Sequence, residues 1–168
     1  IGQTADLQVR WHLIGHLQRN KVTHALALFD VIHSVDSLDL INVLVRSRAR
    51  TPLTVFIQVN VSGEATKYGC RVDEVTMLAR AIAERPSCTL AGVMTMAPFY
   101  QDPEMARPYF RRLRECRDAL AVTLDRAPST LQLSMGMSND FEVAIEEGAD
   151  LVRIGTAIFG DRLHGGVA

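Results

Sequence analysis

At 168 residues, with 48% hydrophobic and 22% charged side chains and a formal net charge of −1, the chain has the size and balance of one globular domain, not of a disordered segment. Only two of its 18 basic residues are lysines, Lys21 and Lys67, and acidic residues offset the total, so there is no basic field of the kind that holds nucleic acid. No apolar run approaches the roughly 18 residues that span a bilayer, and Cys70, Cys88 and Cys116 lack the paired spacing of a metal site, which together read as reduced thiols, no metal, no membrane and a cytoplasmic setting.

The chain opens at Ile1 rather than Met and is patterned within a few residues, which leads to the expectation of further sequence upstream. Short apolar or β-branched runs recur at residues 11–15, 31–35, 53–61, 89–95, 130–134 and 151–154, as in strands buried on both faces of a parallel sheet. Between them, Asp36 or Ser37 can cap a helix carrying Leu38, Ile41 and Val45. Val75, Leu78, Ala79 and Ile82, and then Phe110, Leu113, Cys116 and Leu120, recur at helical spacing. Ser138 can cap a further helix that Gly148 closes. Alternation without a linker or repeat predicts one α/β domain over residues 1–168, with a parallel sheet and right-handed crossovers. The pattern alone leaves a doubly wound open sheet and a β/α barrel as alternatives. A closed eight-unit barrel takes roughly 250 residues, so a barrel here would hold about six of the eight units.

In both architectures ligands bind at the carboxyl ends of the strands. Leu133-Ser134-Met135-Gly136-Met137-Ser138 runs from a strand through a glycine toward a helix, and Arg153-Ile154-Gly155-Thr156 ends the next strand. The N–H groups of two such turns can converge on one phosphate. The same glycines also make tight turns without any ligand, and spacing favours neither reading. His12 and His16 are spaced like a metal pair but lack a third ligand, so they read as packed or hydrogen-bonded, as does His33 within its strand. Met94 and Met96 read as packing residues of a pocket wall, and Asp36, Glu64 and Asp140 as solvated or capping carboxylates. No nucleophile elbow, P-loop or dinucleotide fingerprint is present.

Several of these segments together resemble the pyridoxal-phosphate homeostasis family, whose barrel is similar to the N-terminal domain of alanine racemases. They are Trp11-His12-Leu13-Ile14-Gly15-His16-Leu17-Gln18-Arg19-Asn20-Lys21; Ile32-His33-Ser34-Val35-Asp36-Ser37; the run from Gln58 to Gly69; Gly92-Val93-Met94-Thr95-Met96; and Leu133 to Gly160, with L-S-M-G-M-S-x-D followed by V-R-I-G-T-A-I-F-G. The resemblance implies a parallel β/α barrel of the alanine racemase N-terminal type that binds pyridoxal 5'-phosphate. In it Ser134, Gly136, Met137, Gly155 and Thr156 would surround the phosphate, and Arg153 would face the pyridine nitrogen, where a cation disfavours ring protonation.

The family's Schiff-base lysine ends its first strand, and no segment here matches that strand or the Gly-Glu-Asn segment after the second. The expectation is a domain lacking two β/α units and the covalent anchor, with Lys67 as the one conceivable substitute. The implied function is binding and buffering of pyridoxal phosphate, with delivery to apoenzymes, and not catalysis. A fold-type-III racemase or decarboxylase, which adds a large β-domain, and a phosphosugar-binding barrel are the alternatives.

Overall fold

The computed structural model describes residues 9–47 and 52–160, so the expected domain bounds at 1 and 168 lie outside the described residues. Among the described residues six strands and six α-helices alternate: β1 (His12–Leu13), α1 (Val22–Leu26), β2 (Val31–Val35), α2 (Leu38–Arg46), β3 (Leu53–Gln58), α3 (Val75–Ala83), β4 (Cys88–Met94), α4 (Arg107–Thr123), β5 (Gln132–Met137), α5 (Phe141–Glu146), β6 (Leu151–Arg153) and α6 (Thr156–Phe159). All strand pairs are parallel and the sheet order is β1-β2-β3-β4-β5-β6. Sequential order without a reversal is the topology of a barrel wall, not of a doubly wound sheet.

The sheet curls strongly. In a flat sheet β2 and β5, three strand spacings apart, would be about 14 Å from each other. Instead His33 on β2 and Ser134 on β5 meet side chain to side chain, with Nδ1 and Oγ 2.9 Å apart. The concave face encloses Val31, Phe56 and Met94, with Ala91, Met96 and Leu151 packed against them. The convex face carries the main core, in which Ile32, Val55, Ile57, Val93, Leu133 and Met135 pack under the helices. The inner strands β2 to β5 therefore bury residues on both faces, which is why their sequences read as nearly continuous apolar runs, while β1 and β6 are half-buried. The expected helix faces of α3 and α4 are buried in full.

Four expectations need correction. The run at 53–61 is a strand only to Gln58, because Asn60 gathers the following loop: its Nδ2 donates to the Glu64 and Lys67 carbonyls, and its Oδ1 accepts from Gly63 N. The run at 130–134 lies early. Pro128, which has no N–H, starts a 3-10 turn over Pro128–Thr130, and the strand then continues through Met137. On α2 the buried face is Leu40, Ile41 and Leu44 rather than Leu38, which sits next to the Ser37 cap and is exposed. Ser138 does not cap α5. Asp140 stands at that position, its Oδ1 accepting from Met137 N at 2.6 Å, while Ser138 turns toward β6.

Candidate ligand site at the ends of the last two strands

The six expected site residues lie on β5, on β6 and at the start of α6, in two layers. At the rim, the β5–α5 turn and the β6–α6 turn are joined by Ser138, whose Oγ accepts from Gly155 N at 2.9 Å and Ala157 N at 3.3 Å. Thr156 is exposed at the first position of α6, where its N–H has no intrahelical partner. The two glycines differ in kind. Gly136 has φ +90°, and a Cβ there would lie 2.6 Å from the Ala144 Cβ on α5, so it serves the bulge between Ser134 and Met137 and the close seating of the helix. A Cβ on Gly155 would meet nothing within 4 Å among the described residues. Packing explains the first glycine and leaves open space at the second.

Below the rim, inside the curl, the Arg153 guanidinium donates from Nη1 to Ser134 Oγ at 3.0 Å and from Nη2 to the Thr95 carbonyl at 2.8 Å. Its Nε is buried and has no partner among the described residues. Burial lowers the Arg153 pKa to about 10, against an opposing influence from Asp140, so the group remains a cation near neutral pH. Ser134, fully buried, also meets His33 Nδ1, and His33 Nε2 meets His12 Nδ1 at 2.8 Å. The His33 ring stacks on Phe56 with centroids 4.3 Å apart. Burial, then the charges of His12 and Arg153, push the His33 pKa down to about 4, so it is neutral at pH 7.

His12 and His33 are thus hydrogen-bonded, as their strand positions suggest, and Met94 lines the interior. Sequence reasoning missed that His12, His33, Ser134 and Arg153 form one chain, and that Ser138 rather than a glycine links the two turns. Strand alternation could have placed these residues on the concave face, but not paired β2 with β5. Lys67 lies in the β3–α3 loop with its Nζ 3.2 Å from Glu64 Oε1, a charge contact whose alignment is not that of a hydrogen bond. His16 is not paired with His12; it stacks on Tyr68, with centroids 4.2 Å apart.

Residues 3–163 match the family model for the alanine racemase N-terminal domain. A pyridoxal phosphate homeostasis protein of Aquifex aeolicus is 45% identical over 161 residues, covering 95% of this chain and 70% of that protein. The chain belongs to the pyridoxal phosphate homeostasis family. Another member, from Pseudomonas aeruginosa, is 42% identical and covers 99% of this chain, which spans 70% of its length. Among solved structures, PipY of Synechococcus elongatus with pyridoxal phosphate bound is 29% identical, with a TM-score of 0.80 over 95% of this chain and 74% of that one. An alanine racemase of Corynebacterium glutamicum, 16% identical with a TM-score of 0.73 over 99% of this chain and 47% of that one, shares the fold. These likenesses establish the expected barrel type for this member of the homeostasis family. No described helix is long and apolar enough to cross a membrane.

Proposed function

We propose that this chain binds pyridoxal 5'-phosphate within the curl of its sheet and takes part in holding and delivering that cofactor, without catalysing a reaction of its own. The carrying observation is Arg153, a partly buried cation anchored by Ser134 and Thr95, whose Nε is buried and has no partner among the described residues. A buried unpaired donor calls for an acceptor, and an unprotonated pyridine nitrogen is one. The open space at Gly155, with Thr156 beside it, fits the approach of the phosphate to the rim. The described residues therefore fit the cofactor at its ring and its phosphate. When bound, the cofactor supplies an electrophilic aldehyde. Arg153 disfavours a proton on the ring nitrogen, Phe56 and Met94 fill the apolar wall, and the Ser138 bridge holds the two turns in register.

A cation opposite the ring nitrogen weakens the ring as an electron sink, which suits holding the cofactor or limited proton chemistry. Apoenzyme recipients and a reducing, cytoplasmic setting belong to the same proposal, the latter supported by three free thiols. Titration of the chain and of Arg153→Ala with pyridoxal phosphate tests it: the variant should shift the absorbance of the bound cofactor more than its affinity. Equal spectra with strongly weakened binding would make Arg153 a phosphate ligand instead. Tighter binding of a sugar phosphate than of pyridoxal phosphate would favour the phosphosugar alternative.

A further inference from the structure

The two hydrogen-bond partners of Ser134 constrain its proton. Oγ has one hydrogen and can accept two bonds, and among the described residues it meets only Arg153 Nη1 and His33 Nδ1. Arginine can only donate, so the oxygen accepts from Arg153. Two arrangements remain for His33. If His33 Nδ1 carries a proton, Ser134 accepts twice and its own hydrogen has no partner in a fully buried position. If His33 Nδ1 is bare, Ser134 donates to it, His33 Nε2–H donates to His12 Nδ1, and every proton along the chain is used. A doubly protonated His33 is disfavoured by both neighbours: it would strip Ser134 of its acceptor and place a second cation near Arg153.

We infer that Ser134 is a positioning residue for Arg153, not a ligand of the phosphate, and that its contacts fix neutral His33 as the Nε2–H tautomer. This departs from the role that the resemblance implies for Ser134, and its ligand-bound consequence rests on the proposed binding of pyridoxal phosphate. The geometry agrees with it: Ser134 is three residues before the end of β5 and turned into the curl, whereas the hydroxyls at the rim belong to Ser138 and Thr156. Ser134, itself held by His33, thereby takes one bond from Nη1 of Arg153 and the Thr95 carbonyl one from Nη2, while Nε has no partner among the described residues.

The two roles of Ser134 predict opposite responses to ligand. A phosphate on Ser134 would take its proton, and His33 would then have to supply Nδ1–H to the oxygen, switching tautomer. A positioning Ser134 leaves His33 unchanged. Long-range 1H–15N NMR of the histidine-labelled chain at pH 7, with and without pyridoxal phosphate, reads this directly. We expect Nε2–H at His33 in both states. An Nδ1–H signal in the free chain, or a switch on adding ligand, would overturn the inference. In parallel, His33→Phe should shift the absorbance maximum of bound pyridoxal phosphate while changing its affinity by less than about threefold, and His33→Gln, which returns an acceptor, should restore the parent spectrum. A tenfold or greater loss of affinity with an unchanged spectrum would instead assign His33 and Ser134 to the phosphate. If the parent chain binds no pyridoxal phosphate, the binding proposal fails, while the tautomer in the free chain still decides the inference.

Discussion

Ser138 Oγ lies 2.9 Å from the Gly155 amide nitrogen, so a side chain after β5 holds the backbone after β6. The same oxygen accepts from Ala157 N. Ser138→Ala removes both bonds and frees the two turns from each other. At about 1 kcal/mol for each neutral bond, some of it recovered by water at this half-exposed position, affinity for pyridoxal phosphate should fall about three- to tenfold with the absorbance of the bound form unchanged. Spectrophotometric titration measures both. A spectral shift in this variant would mean that the rim and the ring contacts are not separable.

The two site glycines should respond in opposite ways to a methyl group. Gly136→Ala forces a side chain onto a φ of +90° and into the Ala144 Cβ at 2.6 Å, and should cost about 2–3 kcal/mol of stability in urea denaturation. Gly155→Ala meets no neighbour within 4 Å among the described residues and should change stability by less than about 1 kcal/mol. Its effect should fall on affinity, because the methyl group enters the space assigned to the phosphate. If Gly155→Ala bound pyridoxal phosphate as the parent does, the phosphate would have to lie elsewhere.

Outside the site, Glu147 is a stability determinant. Its Oε1 accepts from Arg107 Nη1 at 3.2 Å and Arg111 Nη2 at 3.1 Å, and Arg114 Nη1 lies 2.8 Å from Oε2. Burial, the largest single influence, pushes its pKa up, yet the bonds from Arg111 and Arg107 and the charge of Arg114 together hold it below the usual carboxylate range. Glu147→Gln should cost about 1–2 kcal/mol by removing the counter-charge shared by three partly exposed α4 arginines. Glu146→Gln, at an exposed side chain, should cost less than about 1 kcal/mol. Comparable urea midpoints for the two variants would contradict the burial argument.

His33 sets an acid limit on the fold. Its pKa in the folded chain, about 4, is below the ordinary histidine value of 6.5, so the unfolded chain takes up the proton first as pH falls. Stability should be unaffected by this group above pH 6.5, decline between 6.5 and 4, and stop declining on its account below 4. The groups facing it are His12 on β1, Ser134 on β5, Arg153 on β6 and the Phe56 ring on β3. Allowing for partial solvent screening, the loss is on the order of 2 kcal/mol. His33→Phe should lose the slope in that window in pH-dependent urea melts; an unchanged slope would assign it to another group.

What the sequence determined by itself was the alternation and its consequences. Parallel strands buried on both faces leave uninterrupted apolar runs, and helices with one buried face leave the spacing of Val75, Leu78, Ala79 and Ile82, so the order and type of the elements follow from local pattern, and with them the expectation of a site at the strand ends. The motifs around Ser134 and Arg153 likewise pointed to the last two strands. Element ends were less legible, because Asn60 and Pro128 act through loop hydrogen bonds and a missing donor that apolar periodicity does not register. Only the tertiary structure decided how far the sheet curls, and with it which polar side chains meet. His33 and Ser134 are 101 positions apart and on strands that do not pair, so no periodicity could join them; curvature closes the distance to 2.9 Å. Once they touch, the fixed donor and acceptor capacities of arginine, serine and histidine give Ser134 a place in the Arg153 chain rather than at the rim.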